Sequence, residues 1–344
     1  MYQDLAIILL NWNGKKLLHQ FLPSVILHSE DAQIHVIDNG STDDSVSFLQ
    51  KEFPSVNVIP LNKNYGFCQG YNKGVKQINN TYYVLLNTDV EVTKNWLQSP
   101  LSILKGDQSV GICQPKIKSW HDKSLFEYAG AAGGYIDSLG YPFCRGRIFE
   151  SLEKDTGQYD DMVEVFWASG ACLFIKSELF HDIKGFDSGF FAHMEEIDLC
   201  WRIKNKGYKI IYTGLSEVFH VGGATLMKSN PKKTYLNFRN SMLYLVKNLP
   251  ARQFLPKIIL RLLLDGIAGV YFACKGEFSH TFAVVKAHAS FYVKCWKYYK
   301  KDGKGTFNFD PKYSGSIVLD HFAKGKKQHK ELKNLKIPNY TPPS

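Results

Sequence analysis

No Cys-x-x-Cys pair occurs among the seven cysteines of this 344-residue chain, at 68, 113, 144, 172, 200, 274 and 295. Scattered and odd in number, they exclude a zinc ribbon and a disulfide framework. The expectation is reduced, mostly buried thiols of a cytosolic protein. No basic segment or cleavage site precedes the first apolar run, Leu5-Ala6-Ile7-Ile8-Leu9-Leu10, so no secretory signal is expected. Long apolar runs free of charge are also missing. The most apolar window, Phe254 to Cys274, holds Lys257, Arg261 and Asp265, which argues against a spanning helix. There are no internal repeats. Acid is the scarcer charge, with 32 Asp and Glu against 42 Lys and Arg, a net +10. That balance points to an anionic partner. The excess is heaviest from Lys294 to Lys336, which argues against a uniformly basic surface for nucleic acid.

What the chain has is apolar and aromatic. Its 44% hydrophobic and 14% aromatic residues exclude a disordered chain and suffice for a sizeable core. The length predicts one large domain with an appendage. Leu5–Leu10 reads as a strand ending in the turn Asn11-Trp12-Asn13-Gly14, and Lys15–His28 has helical spacing. Ile34–Asp38 is a second strand, followed by a helix over Ser45–Phe53 with Thr42 or Asp43 as its cap. Val56–Pro60 is a third strand, Gly70–Ile78 a helix, and Tyr82–Leu86 a fourth strand ending at Asn87-Thr88-Asp89. This alternation predicts βαβ units and a mostly parallel α/β sheet flanked by helices. Ligands of such sheets bind beyond the carboxyl ends of the strands, where Asn11, Asp38 and Asp89 fall. Between Lys118 and Asp161 the pattern weakens. The runs Ala129–Gly134 and Gly140-Tyr141-Pro142 predict a long loop, functional or mobile, that carries Arg145 and Arg147. Strands resume at Val163–Trp167, Ala171–Ile175 and Gly207–Thr213. From Pro231 the chain turns helical and basic. The domain boundary is therefore expected near Ser229-Asn230-Pro231, dividing residues 1–230 from 231–344.

Three acids follow closely on a Gly- and Phe-rich run. Phe190 to Arg202 puts Glu195, Glu196 and Asp198 at the head of a helical pattern. Glu195 and Asp198, at i and i+3, share one face; Ile197 and Trp201, at i and i+4, bury another. Carboxylates in such a setting suit a general base, although acids at a helix N-terminus are also favoured by the dipole alone. Asp38 can accept from a nucleobase imide or a ribose hydroxyl, and the run after it also makes a good turn and cap. Mg²⁺ and Mn²⁺ take oxygen ligands from one or two carboxylates plus substrate phosphates. Asp89 can supply one ligand and His220 another, the histidine tilting the choice toward Mn²⁺.

Taken in order, these motifs resemble the inverting family 2 glycosyltransferases, and most of all their rhamnosyltransferase-type members. The resemblance rests on Asn11-Trp12-Asn13-Gly14, Asp38-Asn39-Gly40-Ser41-Thr42-Asp43, Asn64-Tyr65-Gly66-Phe67, Asn87-Thr88-Asp89, Gly170, Gly185-Phe186-Asp187, Glu195-Glu196-Ile197-Asp198 and His220. It implies a GT-A nucleotide-diphospho-sugar transferase fold with a C-terminal helical extension. It implies a nucleotide-sugar donor bound by Asn11, Asp38, Asn64, Gly66, Asn87 and Asp89, with Asp38 on the nucleoside. A divalent metal, Mn²⁺ or Mg²⁺, would sit on Asp89 and His220, and Glu196 would be the base. Two positions depart from the family pattern. Asn87 stands where many members carry an Asp, which removes one formal charge from the metal site. Glu196 stands where Asp is usual, which leaves Glu195 and Asp198 as rival bases.

The resemblance further implies a glycan or lipid-linked glycan acceptor at the inner face of the cytoplasmic membrane, rhamnose being the leading donor sugar, and no nucleic acid. In the tail, Ile258, Ile259, Leu262, Leu263 and Ile267 make an apolar helical face near Lys257 and Arg261. Phe282–Tyr299 repeats the theme with Phe291, Tyr292, Trp296, Lys294 and Lys297. This fits either a packed helical domain or helices at a membrane interface. Two rival functions are a sugar-nucleotide pyrophosphorylase and a non-catalytic nucleotide-sugar binder. The first needs a Gly- and Arg/Lys-rich loop after the first strand, and the turn at Asn11–Gly14 is not one. The second predicts loss of the key acids, and they are present.

Overall fold

The computed structural model describes residues 2–128, 130–222, 230–299 and 313–343. The elements run β1 (Leu5–Asn11), α1 (Lys15–His28), β2 (Gln33–Asp38), α2 (Ser45–Glu52), β3 (Asn57–Pro60), α3 (Gly66–Gly74), β4 (Tyr82–Leu86), β5 (Val90–Val92), α4 (Gln98–Gly106) and β6 (Val110–Ser119). Then come β7 (Gly134–Ile136), β8 (Pro142–Cys144), β9 (Arg147–Ile148), β10 (Ser151–Leu152), β11 (Met162–Glu164), β12 (Cys172–Lys176), α5 (Ser177–Asp182), α6 (Glu195–Asn205) and β13 (Lys209–His220). The chain closes with α7 (Pro231–Asn248), α8 (Ala251–Cys274), α9 (Phe278–Tyr299) and α10 (Ile317–Phe322).

The central sheet has the order β11-β13-β6-β12-β4-β1-β2-β3, with β5 beside β13. Its β3-β2-β1-β4 half is parallel. β12 runs antiparallel to both β4 and β6, and β6 and β13 are parallel again. Side chains alternate along a strand, and here both faces are buried. In β1, Ala6 and Ile8 enter one core and Leu5, Ile7 and Leu9 the other. In β4, Tyr83 and Leu85 oppose Tyr82, Val84 and Leu86. Burial on both sides is why these strands read as continuous apolar runs. All seven cysteines are free thiols, and five are buried.

Three sequence expectations change. The supposed loop from Lys118 to Asp161 folds as a second antiparallel sheet, β10-β9-β8-β7. Strands of two or three residues are too short to show alternation. Ala129 lies outside the described residues. Arg145 grips Asp161 with two hydrogen bonds of 2.8 and 2.9 Å, between the rings of Tyr159 and Tyr212. The strand expected over Gly207–Thr213 continues, through an irregularity between Thr213 and Glu217, to His220. Its end pairs with β5, His220 opposite Val90, and that pairing brings His220 back to the Asn87–Asp89 segment. At α2 the N-cap is Asp44, without a side-chain capping bond, rather than Thr42 or Asp43; Asp43 lies one residue earlier, its Oδ1 accepting from the Ser45 backbone N–H at 3.1 Å.

The boundary expected near Ser229 meets a stretch, residues 223–229, outside the described residues. Beyond it the Asn230 side chain caps α7 by accepting from the Lys232 N–H at 2.9 Å. α7 packs on both α6 and α9, so it ties the helical extension to the sheet. Near the other end, Tyr340 joins the core under the sheet and its hydroxyl donates to Asp107 at 3.2 Å. Among the described residues no helix is long and apolar enough to cross a membrane.

Candidate active site

The carboxyl ends of β1, β2 and β4 lie side by side, because β1 is paired with both others. Asn11 faces Asp38 across this edge and donates to its Oδ1 at 2.9 Å. Ser41 donates to the same carboxylate through its hydroxyl at 2.6 Å and its backbone N–H at 3.0 Å. Asp38 is buried and already holds three donors, so it enters any nucleoside contact with a fixed orientation. The Asn11 Oδ1 is buried without a partner, and a Cβ at Gly14 would stand 2.4 Å from it. Asn39 stitches the next segment: its Nδ2 donates to Asn64 Oδ1 and to the Gly66 carbonyl, both at 3.1 Å. Asn64 Oδ1 in turn accepts from the Gly66 N–H at 2.8 Å. Gly66 has φ +76°, and a Cβ there would stand 2.8 Å from the Phe191 ring. Glycine is therefore required twice over, by backbone sign and by space.

Past β4, His220 sits between two carboxylates. Its Nε2 is 3.1 Å from Asp89 Oδ1, and its Nδ1 is 3.3 Å from Glu127 Oε2, an ion-pair contact without a well-aligned hydrogen bond. Burial alone would lower the histidine pKa; Glu127 and Asp89 outweigh it and raise it to about 10. Burial likewise pushes the Asp89 carboxyl up, and the attraction of His220 more than reverses this. Asn87 Nδ2 lies 3.4 Å from the same Nε2. Among the described residues no three His, Cys, Asp or Glu gather as a ready cage for a metal. Asp89 Oδ1 and His220 Nε2 are spaced as two adjacent ligands of one ion with ~2.1 Å bonds would be, but the raised histidine carries a proton on Nε2 that an incoming ion has to displace before the imidazole can bind it. Glu127 behind the imidazole is where an outer carboxylate orients a metal-binding histidine.

The acidic helix is held by a strained approach. Phe191, His193 and Met194 have φ of +68°, +65° and +70°, a costly conformation for side chains of this size. The surrounding bonds that impose it come from α7. Asn240 Nδ2 donates to the carbonyls of Phe190, Ala192 and His193 at 3.1, 3.0 and 2.7 Å. Arg239 donates to those of Gly189 and Phe190 at 3.3 and 3.0 Å. At the end of this segment Glu195 and Glu196 open α6. Each leaves its Oε2 buried and without a partner. Burial raises the Glu196 carboxyl to about 7. Burial and the neighbouring Glu196 charge drive Glu195 further up.

Asp198 is in a different state. It is fully buried, and it accepts from Arg202 Nε at 2.8 Å, Lys247 Nζ at 2.8 Å and Asn248 Nδ2 at 3.0 Å. Burial pushes its carboxyl up, but Lys247 and Arg202 prevail and hold it below the ordinary range. Lys247 also reaches Asp187 at 2.8 Å.

The fold thus joins Asn11 to Asp38, Asn64 to Gly66, and Asn87 to Asp89 and His220. Gly66 meets the acidic segment at Phe191. Gly170 lies on the other side, where a Cβ would stand 3.8 Å from that of Glu196, and the adjacent Ala171 carbonyl accepts from the Asn87 N–H at 3.0 Å. The sequence reading missed Asn39, Glu127, Arg239, Asn240, Lys247 and Asn248. One signal for part of this set was present: polar Arg239-Asn240-Ser241 in the middle of a helix whose neighbours Leu236, Met242 and Leu243 are apolar.

The mixed sheet, with the candidate residues at its carboxyl edge, is the GT-A fold. Solved structures share it. The mannosyltransferase PcManGT from Pyrobaculum calidifontis, in complex with GDP-Man and Mn²⁺, superposes with a TM-score of 0.52 at 12% identity, over 85% of this chain and 88% of that one. Residues 1–349 of S. aureus TarS, in complex with UDP-GlcNAc, superpose with a TM-score of 0.54 at 14% identity, over 86% and 81%. The model of Glycosyl transferase family 2 matches residues 6–176. The N-acetylglucosaminyl-diphospho-decaprenol L-rhamnosyltransferase of Mycobacterium tuberculosis is 24% identical over 237 residues, 64% of this chain and 76% of that protein. The chain belongs to glycosyltransferase family 2, resembles its rhamnosyltransferases, and is a transferase enzyme.

Proposed function

We propose that this enzyme transfers a sugar, with rhamnose the leading candidate, from a nucleotide-diphosphate donor to a lipid-linked cell-surface glycan, with inversion. The reading places the catalytic unit in residues 1–230, completed by α7, and the enzyme at the inner face of the cytoplasmic membrane, where such an acceptor is anchored. The observation that carries it is Glu196: a half-buried side chain at a helix head, its carboxyl raised to about 7 by desolvation, with a buried oxygen that has no protein partner. A base titrating near the working pH is well matched to proton abstraction.

In the proposed step the acceptor oxygen bonds to the anomeric carbon from the face opposite the diphosphate. The anomeric carbon–oxygen bond to the diphosphate breaks, and the acceptor proton passes to Glu196. Asp38 and Asn11 hold the nucleoside, and the Asn64–Gly66 turn lines the donor. Asp89 and His220, once the imidazole has given up its Nε2 proton, would hold a divalent ion, with Glu127 orienting the ring, and such an ion would offset charge developing on the diphosphate. Glu195, whose carboxyl burial pushes well above the ordinary range, stands beside it. Asp198 positions α6 through Lys247 and Asn248.

Glu196→Gln keeps shape and removes the accepting charge. It should lower transfer about 10²–10⁴-fold with nucleotide binding intact, read by initial rates and calorimetry across dTDP-, UDP- and GDP-sugars. A wild-type rate in this variant rules out the assignment. EDTA should stop turnover and Mn²⁺ or Mg²⁺ restore it. Full activity in chelator together with an active Asp89→Ala enzyme removes the metal from the mechanism.

A further inference from the structure

α8 is an amphipathic helix turned inside out. Its charged residues Arg261 and Asp265 are 1% exposed. Arg261 donates to Ser241 Oγ at 2.6 Å and to the Gly140 carbonyl at 3.3 Å, and it stacks 3.6 Å from the centre of the Tyr141 ring. Asp265 accepts from the Tyr141 hydroxyl at 3.1 Å and faces His288 at 3.3 Å. Lys257 bonds the Ser138 carbonyl. The three charges that argue against an apolar helix in the sequence all point into the protein. The outer stripe, at spacings of three and four, is Leu255, Ile259, Leu263, Ile267 and Val270, each more than half exposed.

α9 repeats the pattern. Ala283, Val284, Ala287 and Phe291 pack inward, while Phe278, Phe282, Val285, Val293 and Trp296 are 60 to 82% exposed. The surface continues to α10, where Phe322 is 62% exposed and its ring lies 6.5 Å from that of Tyr271. Water gives no reason to show this much apolar surface along two helices of 24 and 22 residues.

We propose that the outer face of the α8–α9 hairpin, extended by Phe322, lies in the headgroup and acyl boundary of an anionic lipid bilayer. Charge selects this occupant over another copy of the chain. The charged residues exposed on the hairpin are Arg252, Lys275, Lys286 and Lys297 against Glu277 alone, a basic rim that repels its own copy and attracts acidic headgroups. The aromatic members Tyr271, Tyr292 and Trp296 carry polar tips that suit the interface. The buried Arg261–Asp265 group keeps charge out of the face that enters lipid. The surface extends the membrane-side reading above and rests on it. Vesicles that contain no glycan test it apart from catalysis.

The experiment is sedimentation of the full chain with vesicles of phosphatidylglycerol and phosphatidylethanolamine, and with phosphatidylcholine vesicles. Binding to the anionic vesicles, weakened by salt, is expected. Ile259→Glu with Phe282→Glu should lower partitioning about 100-fold, while donor hydrolysis and the melting temperature hold. Should that variant misfold, fluorescence of the unaltered chain decides: lipids brominated in the acyl chain should quench emission, and Trp296→Phe should remove most of the quenching. Unaltered protein left in the supernatant overturns the proposal. So does vesicle binding that is indifferent to the double substitution, or a stable dimer in sedimentation velocity that the double substitution dissolves.

Discussion

Helices α6 and α8 both bury charge, and they do so to opposite ends. In α8 the buried Arg261 and Asp265 are surrounded by Tyr141, Ser241, Gly140 and His288, and the apolar Leu255, Ile259, Leu263, Ile267 and Val270 are left outside. In α6 the apolar Ile197, Leu199 and Trp201 go inside with Asp198, and the acids at the helix head are left with oxygens that nothing fills. Burial with partners makes a charge part of the framework, whereas burial without them shifts its proton affinity and leaves it available for chemistry. The contrast recurs within α6 itself, between Asp198 and Glu196, two positions apart.

Breaking the framework side should have the largest effect on stability. Asp198→Ala leaves Lys247 and Arg202 without their shared carboxylate and should cost about 3–5 kcal/mol, measured by chemical denaturation. If the loss is small, Asp198 is not structural and returns as a rival base. Asn240→Ala comes next. It frees three carbonyls of the strained segment and should cost about 1–3 kcal/mol, with kcat falling more than donor affinity. Loss of donor affinity with kcat unchanged would move Asn240 from the base side to the donor side. The pH profile sharpens the comparison with the smallest effect. Glu196 accepts a proton only when ionised and its pKa is raised to about 7. The rate should therefore rise with pH up to about 7 and level above it. Below that point the slope should approach tenfold per unit, about 1.4 kcal/mol. A profile already flat well below neutrality would mean that an acid of ordinary pKa is the base.

Much of the site was readable along the chain because most of its parts end strands. Asn11, Asp38 and Asn87–Asp89 close apolar runs, and a parallel sheet carries such ends to one edge. The acidic cluster was readable because a helix head follows it at once. The short-stranded sheet between Lys118 and Asp161 was not, since two or three residues carry no period. Nor was the role of α7. Asn240 lies about 50 residues from the carbonyls it holds, and no local pattern encodes that contact.

By itself the amino-acid sequence determined the strand–helix alternation, the chemistry available at the strand ends, and membership of glycosyltransferase family 2. It put Glu196 forward as the base with Glu195 and Asp198 as rivals, and it left the tail as either packed domain or interface. Only the tertiary structure shows which of these carboxylates is paired and which face of each tail helix is outward. Whether a carboxylate is paired depends on Lys247 and Asn248, brought from a distant helix, and which face of α8 is outward depends on what its charges find to bond. Both are facts of burial, and burial is decided by the whole fold.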